Sequence, residues 1–202
     1  MSQALTHLFM MYSSTNQKAP KVTLKEAVLK GLAPDNGLYM PESIPRLSAR
    51  FFDQLPAMHL HEVAAEVATA FFGNDIPASV LRRISEEAIN FPAPLVRLTD
   101  RLCSLELFHG PTCAFKDFGG RFMAQLLGYF TSQQNRETII LTATSGDTGS
   151  AVASGFYNTP GIKVVLLYPS GKVSHIQEQQ LTTHGGNVTA IEVDGTFDDC
   201  QK

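Results

Sequence analysis

A lysine at the predicted start of a helix is the first residue whose position suggests covalent chemistry. Lys116 lies in residues 105–130, LELFHGPTCAFKDFGGRFMAQLLGYF, where Gly110-Pro111 ends a strand-like run and helical spacing follows. We expect Lys116 in the first turn of that helix. The residues expected on its buried side are Phe115, Phe118, Phe122, Leu126 and Tyr129 or Phe130.

The helix start gives Lys116 two possible roles. The helix dipole favours anions there, so a lysine that is only solvated is disfavoured by up to about 1 kcal/mol. The same field favours the neutral amine, which is the form that attacks a carbonyl to make a Schiff base. Spacing alone favours a plainer role, a surface ion pair with Asp117 or another carboxylate.

A glycine-rich segment follows the helix and indicates an anion site. Residues 138–157, TIILTATSGDTGSAVASGFY, predict a strand, a tight turn and a helix of small residues. Backbone N–H groups and hydroxyls at such a helix start suit a carboxylate or a phosphate. The candidate binding residues are Thr144, Ser145, Gly146, Asp147, Thr148 and Gly149.

The same segment also fits a purely structural turn. It matches neither a Walker loop nor the GxGxxG dinucleotide motif. A tight strand-to-helix turn with a Thr or Ser cap is common in α/β proteins, and Asp147 would partly repel an anion. Both readings stay open on spacing alone.

The histidines give weaker signals. His59 and His61, two residues apart on a predicted helix, do not face each other, so we expect no metal site there. His109 either lines a site or ends a strand. Gly185-Gly186 reads as the end of a helix.

Composition and charge indicate a globular protein that handles a small molecule. Hydrophobic residues make up 44% of the 202 residues, and the net charge of -3 gives no basic footprint for nucleic acid or an anionic membrane. Cys103, Cys113 and Cys200 are odd in number and widely spaced, which fits a reducing, cytoplasmic setting better than a disulfide framework.

The elements that must position these residues differ between the two halves of the chain. Helices are predicted over residues 23–32, 58–72 and 77–89, the first opened by a capping box from Thr23 to Glu26. Pro41 and Pro45 predict an irregular stretch between the first two helices, and prolines at 92 and 94 suggest a domain boundary.

The second half has the pattern of a parallel sheet. Short β-branched runs at 138–143, 163–169 and 188–194 alternate with helical spacing, which predicts βαβ units and an α/β fold. A capping box at Ser174 and Gln177 opens the helix between the last two runs. We therefore expect a helical domain over residues 1–92 and part of an α/β domain over residues 93–202.

The last residues suggest a piece of a longer protein. Thr196 and Asp199 announce a helix that has barely begun at Lys202, and three parallel strands leave open sheet edges.

These motifs together resemble one family. FHGPTCAFKDFGG is similar to the lysine motif of threonine synthases, and TSGDTGS resembles the loop that follows it there. The leader APKVTLKEAVLKGLAPDNGLYMPESIP resembles that family's helical N-terminal region, which related enzymes lack. The resemblance covers nearly the whole chain from about Met11.

The resemblance implies a fold-type II pyridoxal-phosphate enzyme that converts O-phosphohomoserine and water to threonine and phosphate. It implies that Lys116 binds the cofactor and moves protons during catalysis. It further implies that residues 144–149 hold the substrate carboxylate and that Asp147 approaches the cofactor. The wider superfamily usually has Asn where Asp147 stands, so the partner of Asp147 is open.

The resemblance also leaves alternatives. The family's phosphate-binding site lies in a later half that this sequence does not include, so we expect no activity from these 202 residues alone. The rival functions are a serine/threonine dehydratase, a cysteine synthase, or a non-catalytic protein that binds a partner or metabolite.

Overall fold

The structure, a computed structural model, describes residues 9–132 and 137–202. By its internal contacts the chain divides into two compact units, one ending at Glu87 and the other beginning at Ala88.

The first unit combines helices with a short antiparallel ribbon. In chain order its described elements are β1 (Tyr12–Ser14), α1 (Leu24–Lys30), β2 (Tyr39–Pro41), α2 (Ala49–Gln54), a 3₁₀ turn (Leu55–Ala57), α3 (Leu60–Phe72) and α4 (Ala78–Ala88), whose last residue is the first of the second unit. The three predicted helices are confirmed as α1, α3 and α4, each slightly shorter than its hydrophobic pattern.

Local hydrogen bonds set where these helices begin. The predicted capping box of α1 is present, because the Glu26 N–H donates to Thr23 Oγ1 at 3.3 Å and the Thr23 N–H donates to Glu26 Oε2 at 3.1 Å. At α3 the His59 N–H donates to Glu62 Oε2 at 2.7 Å, so the helix begins after His59.

The ribbon corrects one expectation. Pro41 was expected in irregular chain, but it lies in β2 opposite Tyr12. A proline is tolerated there because β2 is an edge strand of a two-stranded ribbon. Proline has no N–H to donate, and an edge strand does not need a hydrogen-bond donor on its open side.

The second unit is an α/β unit that begins with a short hairpin. Its described elements are β3 (Leu95–Arg97), β4 (Cys103–Leu105), α5 (Lys116–Thr131), β5 (Thr138–Ala143), α6 (Asp147–Phe156), β6 (Ile162–Pro169), α7 (His175–Thr182), β7 (Val188–Val193) and α8 (Phe197–Cys200). The antiparallel β3–β4 hairpin was not predicted.

The expected parallel sheet is confirmed. Its strand order is β5-β6-β7, and the central residue Val164 lies opposite Ile140 on one side and Val188 on the other. Helices α6 and α7 are the crossover connections between these strands, as the alternating pattern predicts. The α/β fold class therefore follows directly from the sequence.

The two faces of this sheet differ sharply in burial. Val164 and Leu166, on one face of β6, are fully buried. On the opposite face Ile139, Leu141 and Ile191 are 62%, 66% and 45% exposed. Parallel sheets are usually covered on both faces, so this apolar face stands out.

Helix α5 follows part of its predicted burial pattern. Leu126 and Phe130 are buried as expected, together with Asp117, Ala124, Leu127 and Thr131. The expectation for Phe115 was wrong, because its side chain is 61% exposed. Phe115 precedes the first helical residue, so the helical period does not extend to it.

Small residues bring α5 and α6 into close backbone contact. A Cβ on Gly120 would lie 3.1 Å from the Ala151 carbonyl oxygen, and one on Gly155 would lie 3.0 Å from the Gly120 carbonyl carbon. Further along, a Cβ on Gly128 would lie 3.3 Å from Thr159. Residues later in α5 contact residues later in the segment that begins with α6. The two helices therefore run broadly parallel and begin at the same end.

Candidate functional site

Lys116 is the first residue of α5, as predicted. Its side chain is partly exposed, and Nζ lies 4.9 Å from the centroid of the Phe115 ring. Within the described residues no carboxylate forms an ion pair with it. The surface ion pair that spacing favoured is therefore not found among these residues.

Asp117 has a different role from the one its position suggests. Its side chain is fully buried, and both oxygens are held by Thr112, whose N–H donates to Oδ2 at 2.9 Å and whose hydroxyl donates to Oδ1 at 2.7 Å. A carboxylate in the first turn is also stabilised by the helix dipole. Asp117 thus anchors the start of α5, and its carboxylate is not paired with Lys116.

Gly110 allows this anchor to form. A Cβ at this position would lie 2.4 Å from Asp117 Oδ2, which no ordinary side chain could tolerate. The segment from Gly110 to Thr112 therefore folds directly over the carboxylate and fixes the position of Lys116. Gly110 and Thr112 of the HGPT sequence before Lys116 are thus explained by their contacts with the Asp117 carboxylate. Spacing alone did not predict these contacts.

The glycine-rich segment is organised around the hydroxyl of Thr144. That side chain is 1% exposed, and its Oγ1 accepts the N–H of Gly146 at 3.0 Å and the N–H of Gly149 at 2.8 Å. It also donates to the Gly146 carbonyl oxygen at 3.2 Å. The hydroxyl is thus fully used within the turn.

The remaining candidates divide into buried and exposed positions. Gly146 and Gly149 are buried, whereas Ser145, Asp147 and Thr148 are exposed. The N–H groups of Asp147 and Thr148, at the start of α6, donate to no acceptor in the described part of the chain. They are the kind of open donors that bind anions at a helix N-terminus.

Two glycines in this turn cannot be replaced without strain. Gly146 has φ 137° and ψ -94°, a conformation reserved for glycine. A Cβ on Gly149 would lie 2.4 Å from Thr144 Cγ2 and 2.7 Å from Leu181 Cδ2.

Asp147 has a partner that sequence reasoning missed. Gln177 Nε2 donates to Asp147 Oδ1 at 2.8 Å. The sequence identified Gln177 only as the capping residue of α7, a role that is confirmed by its bonds to Ser174. A contact across 30 residues leaves no local spacing signal.

The packing of α5 on α6 indicates how Lys116 is placed along α6. Lys116 precedes Gly120 by one helical turn, and Asp147 precedes Ala151 by one turn. Gly120 and Ala151 touch, and the helices run parallel. Because both helices rise equally per residue, we expect Lys116 to lie near the level of the first turn of α6.

The three histidines considered in the sequence each lie close to another side chain. His59 and His61 stack with ring centroids 5.6 Å apart, and His109 Nε2 lies 2.7 Å from Glu106 Oε2. Among the described residues there is no cluster of three potential metal ligands. The same residues include no helix long and apolar enough to cross a lipid bilayer.

Comparison with known protein families divides the chain into two matches. Residues 11–89 match the family described as the threonine synthase N terminus, and residues 89–202 match the family of pyridoxal-phosphate dependent enzymes. The second match covers more than half of the chain.

Two curated relatives of this chain are threonine synthases. The chain is 45% identical to the threonine synthase of Escherichia coli, over 90% of this chain and 42% of that protein. It is also 45% identical to the threonine synthase of Haemophilus influenzae, over 92% of this chain and 43% of that one. The chain thus spans less than half the length of these relatives.

Solved structures agree in fold. A threonine synthase from Brucella melitensis with bound pyridoxal phosphate superposes with a TM-score of 0.87 at 40% identity, and the match covers 95% of this chain and 43% of that one. The Escherichia coli enzyme superposes with a TM-score of 0.86 at 43% identity, over 95% and 44% of the two chains.

The residues at the site fit a pyridoxal-phosphate cofactor. Such a site needs an amine that is not neutralised by a carboxylate, and Lys116 supplies one. It also needs donors for anionic groups, and the start of α6, a helix that packs on α5, has open N–H groups. With a family match over more than half of its length, the chain belongs to the pyridoxal-phosphate dependent enzymes, and its residues 11–89 match the threonine synthase N terminus.

Proposed function

We propose that the protein to which this chain belongs is a threonine synthase, which converts O-phosphohomoserine and water to L-threonine and phosphate. The observation that carries this proposal is the combination of the two family matches in one chain. Residues 11–89 match a family described as the threonine synthase N terminus, and residues 89–202, which include Lys116 and the turn after β5, match pyridoxal-phosphate dependent enzymes.

Lys116 is the proposed catalytic residue. Its amine would hold the cofactor covalently and, once displaced by the amine of the substrate, would move protons at the α, β and γ carbons. When bound, pyridoxal phosphate supplies an electron sink for carbanions at those positions. The Asp117 anchor keeps the lysine at the start of α5 throughout, because Thr112 holds that carboxylate on both oxygens.

The turn after β5 is the proposed substrate-binding segment, with its residues in two roles. The exposed residues, which would contact ligands, are Ser145, Asp147 and Thr148. Their N–H groups and hydroxyls would bind the substrate carboxylate. Asp147 would also contact the cofactor. Thr144, Gly146 and Gly149 would bind through the backbone shape that they impose, since they are buried.

The proposal includes the class of substrate and the cellular compartment. The net charge of -3 and the absence of a basic footprint favour a small-molecule substrate over nucleic acid. The unpaired cysteines favour the cytoplasm.

An assay of the full-length protein tests the proposed reaction. We expect phosphate and threonine to form from O-phosphohomoserine, and we expect Lys116→Ala to abolish both products. Keto acid from L-serine or L-threonine would instead indicate a dehydratase, and cysteine from O-acetylserine and sulfide would indicate a cysteine synthase. Activity that survives in Lys116→Ala would remove Lys116 from the chemistry.

A further inference from the structure

Gln177 connects two parts of the second unit that the sequence treats separately. Its Oε1 accepts the N–H of Ser174 at 3.2 Å and the hydroxyl of Ser174 at 2.9 Å, which closes the capping box of α7. Its Nε2 donates to Asp147 Oδ1 at 2.8 Å. One side chain therefore ties the start of α7 to the start of α6.

The orientation of this amide is fixed by its partners. The Ser174 N–H can only donate, so the atom that faces it must be the amide oxygen. The Asp147 carboxylate can only accept, so the atom that faces it must be the amide nitrogen. No flip of the amide satisfies both partners, and the bond to Asp147 is a charge-assisted one.

Packing confines the turn beneath the same face of α7. A Cβ on Gly146 would lie 2.5 Å from both Cδ and Nε2 of Gln177, so the amide group lies directly over Gly146. Leu181, one helical turn further along α7, lies against Gly149. The two side chains together cover both glycines of the turn.

We propose that Gln177 is a positioning residue that fixes the Asp147 carboxylate and the Gly146 backbone in the form that binds ligands. The inference rests on the proposed function for its ligand, but its geometry does not depend on that function. Gln177 acts through Asp147 and the turn, and Oδ2 of Asp147 is left without a partner among the described residues. That oxygen is free to face the cofactor.

Gln177→Glu separates this role from the capping role. A glutamate retains the capping box, since Glu is the usual residue at that position. It also places a second carboxylate against Asp147, and the two repel. We expect α7 to remain intact while amide hydrogen exchange at Gly146 and Gly149, measured by NMR, accelerates about tenfold, the effect of losing one charge-assisted bond.

A charge exchange gives the decisive comparison. In Asp147→Asn with Gln177→Glu, the asparagine amide can donate to the glutamate, so slow exchange at Gly146 and Gly149 should return. Gln179→Glu makes the same substitution on the exposed side of α7 and should leave exchange at both glycines unchanged.

Three outcomes would overturn the inference. They are unchanged exchange in Gln177→Glu, exchange that accelerates in α7 itself, and failure of the double variant to restore protection. Failure of the proposed function is distinguishable, because it would appear as no turnover of O-phosphohomoserine in the full-length protein while the exchange results stand.

Discussion

Lys116 places a positive charge where a helix repels it. The start of α5 carries a partial positive charge, and Asp117 is held by Thr112 instead of neutralising the lysine. This arrangement has a free-energy cost, and the proposed covalent bond to a cofactor would account for a lysine at this position.

Borohydride reduction of the full-length protein with pyridoxal phosphate tests that explanation at the level of one residue. We expect peptide mass mapping to find the pyridoxyl group on Lys116, because no carboxylate in the described part of the chain forms an ion pair with its amine. Lys163, which forms an ion pair with Glu137, is a control that should remain unmodified. A label on Lys163 or Lys172 in place of Lys116 would contradict the assignment.

Thr144 and Thr148 are two threonines of the same turn that differ in burial, Thr144 being buried and Thr148 exposed. Thr144→Val removes the acceptor of two buried N–H groups, so the free energy of unfolding should fall by about 1–3 kcal/mol. Thr148→Val removes an exposed hydroxyl, so stability should hold while substrate binding weakens by about 1.5–3 kcal/mol.

Urea denaturation and steady-state kinetics measure these two effects separately. Thr144→Ser, which keeps the hydroxyl, is the matched control and should retain most of the stability. If Thr148→Val leaves both KM and kcat unchanged, the segment from Thr144 to Gly149 is only a structural turn.

At the scale of elements, two glycines of the α5–α6 pair occupy opposite environments. A Cβ on Gly155 would meet three backbone atoms of α5 at 3.0 to 3.2 Å, whereas a Cβ on Gly119 would meet nothing within 4 Å. The first glycine lets the helices approach, and the second only lowers helix stability.

Alanine at each position should therefore have opposite effects. Gly155→Ala should lower the free energy of unfolding by about 1–3 kcal/mol, because backbone atoms cannot rotate out of the way. Gly119→Ala should raise it by about 0.5–1 kcal/mol. Thermal melting measures both, and a stabilising Gly155→Ala would show that the helices are not held by this contact.

The sequence predicted those elements whose signals are local. The capping boxes at Thr23 and Ser174 each use residues three apart, and the strands of the sheet follow β-branched runs. The ribbon containing Pro41 and the β3–β4 hairpin were missed, because each strand has only three residues. Such short strands carry too few side chains to show a period of two.

The sequence predicted which residues belong to the candidate site, but it did not predict what each residue does there. Spacing marked Lys116 and the turn after β5, but it could not show which hydroxyl turns inward. The burial of Thr144 and the bond from Gln177 to Asp147 depend on packing between elements far apart in sequence. The roles of the site residues toward ligands remain predictions.

At the scale of the whole molecule, these 202 residues cover less than half the length of their relatives. A tightly bound ligand is usually enclosed over most of its surface. We predict that the 202-residue chain alone holds pyridoxal phosphate weakly, as an adduct that is lost on dialysis. Absorbance spectroscopy after dialysis measures this. Stoichiometric retained cofactor, or threonine formed from O-phosphohomoserine, would contradict it.

The uncovered face of the sheet bears on how the 202-residue chain behaves in solution. Ile139 and Leu141 on β5 and Ile191 on β7 present branched apolar side chains to water on the same face of the sheet. Surfaces of this kind promote association between molecules and attract chaperones that bind exposed apolar groups. The colloidal stability of the isolated chain is thus governed by concentration and temperature as much as by its folding free energy.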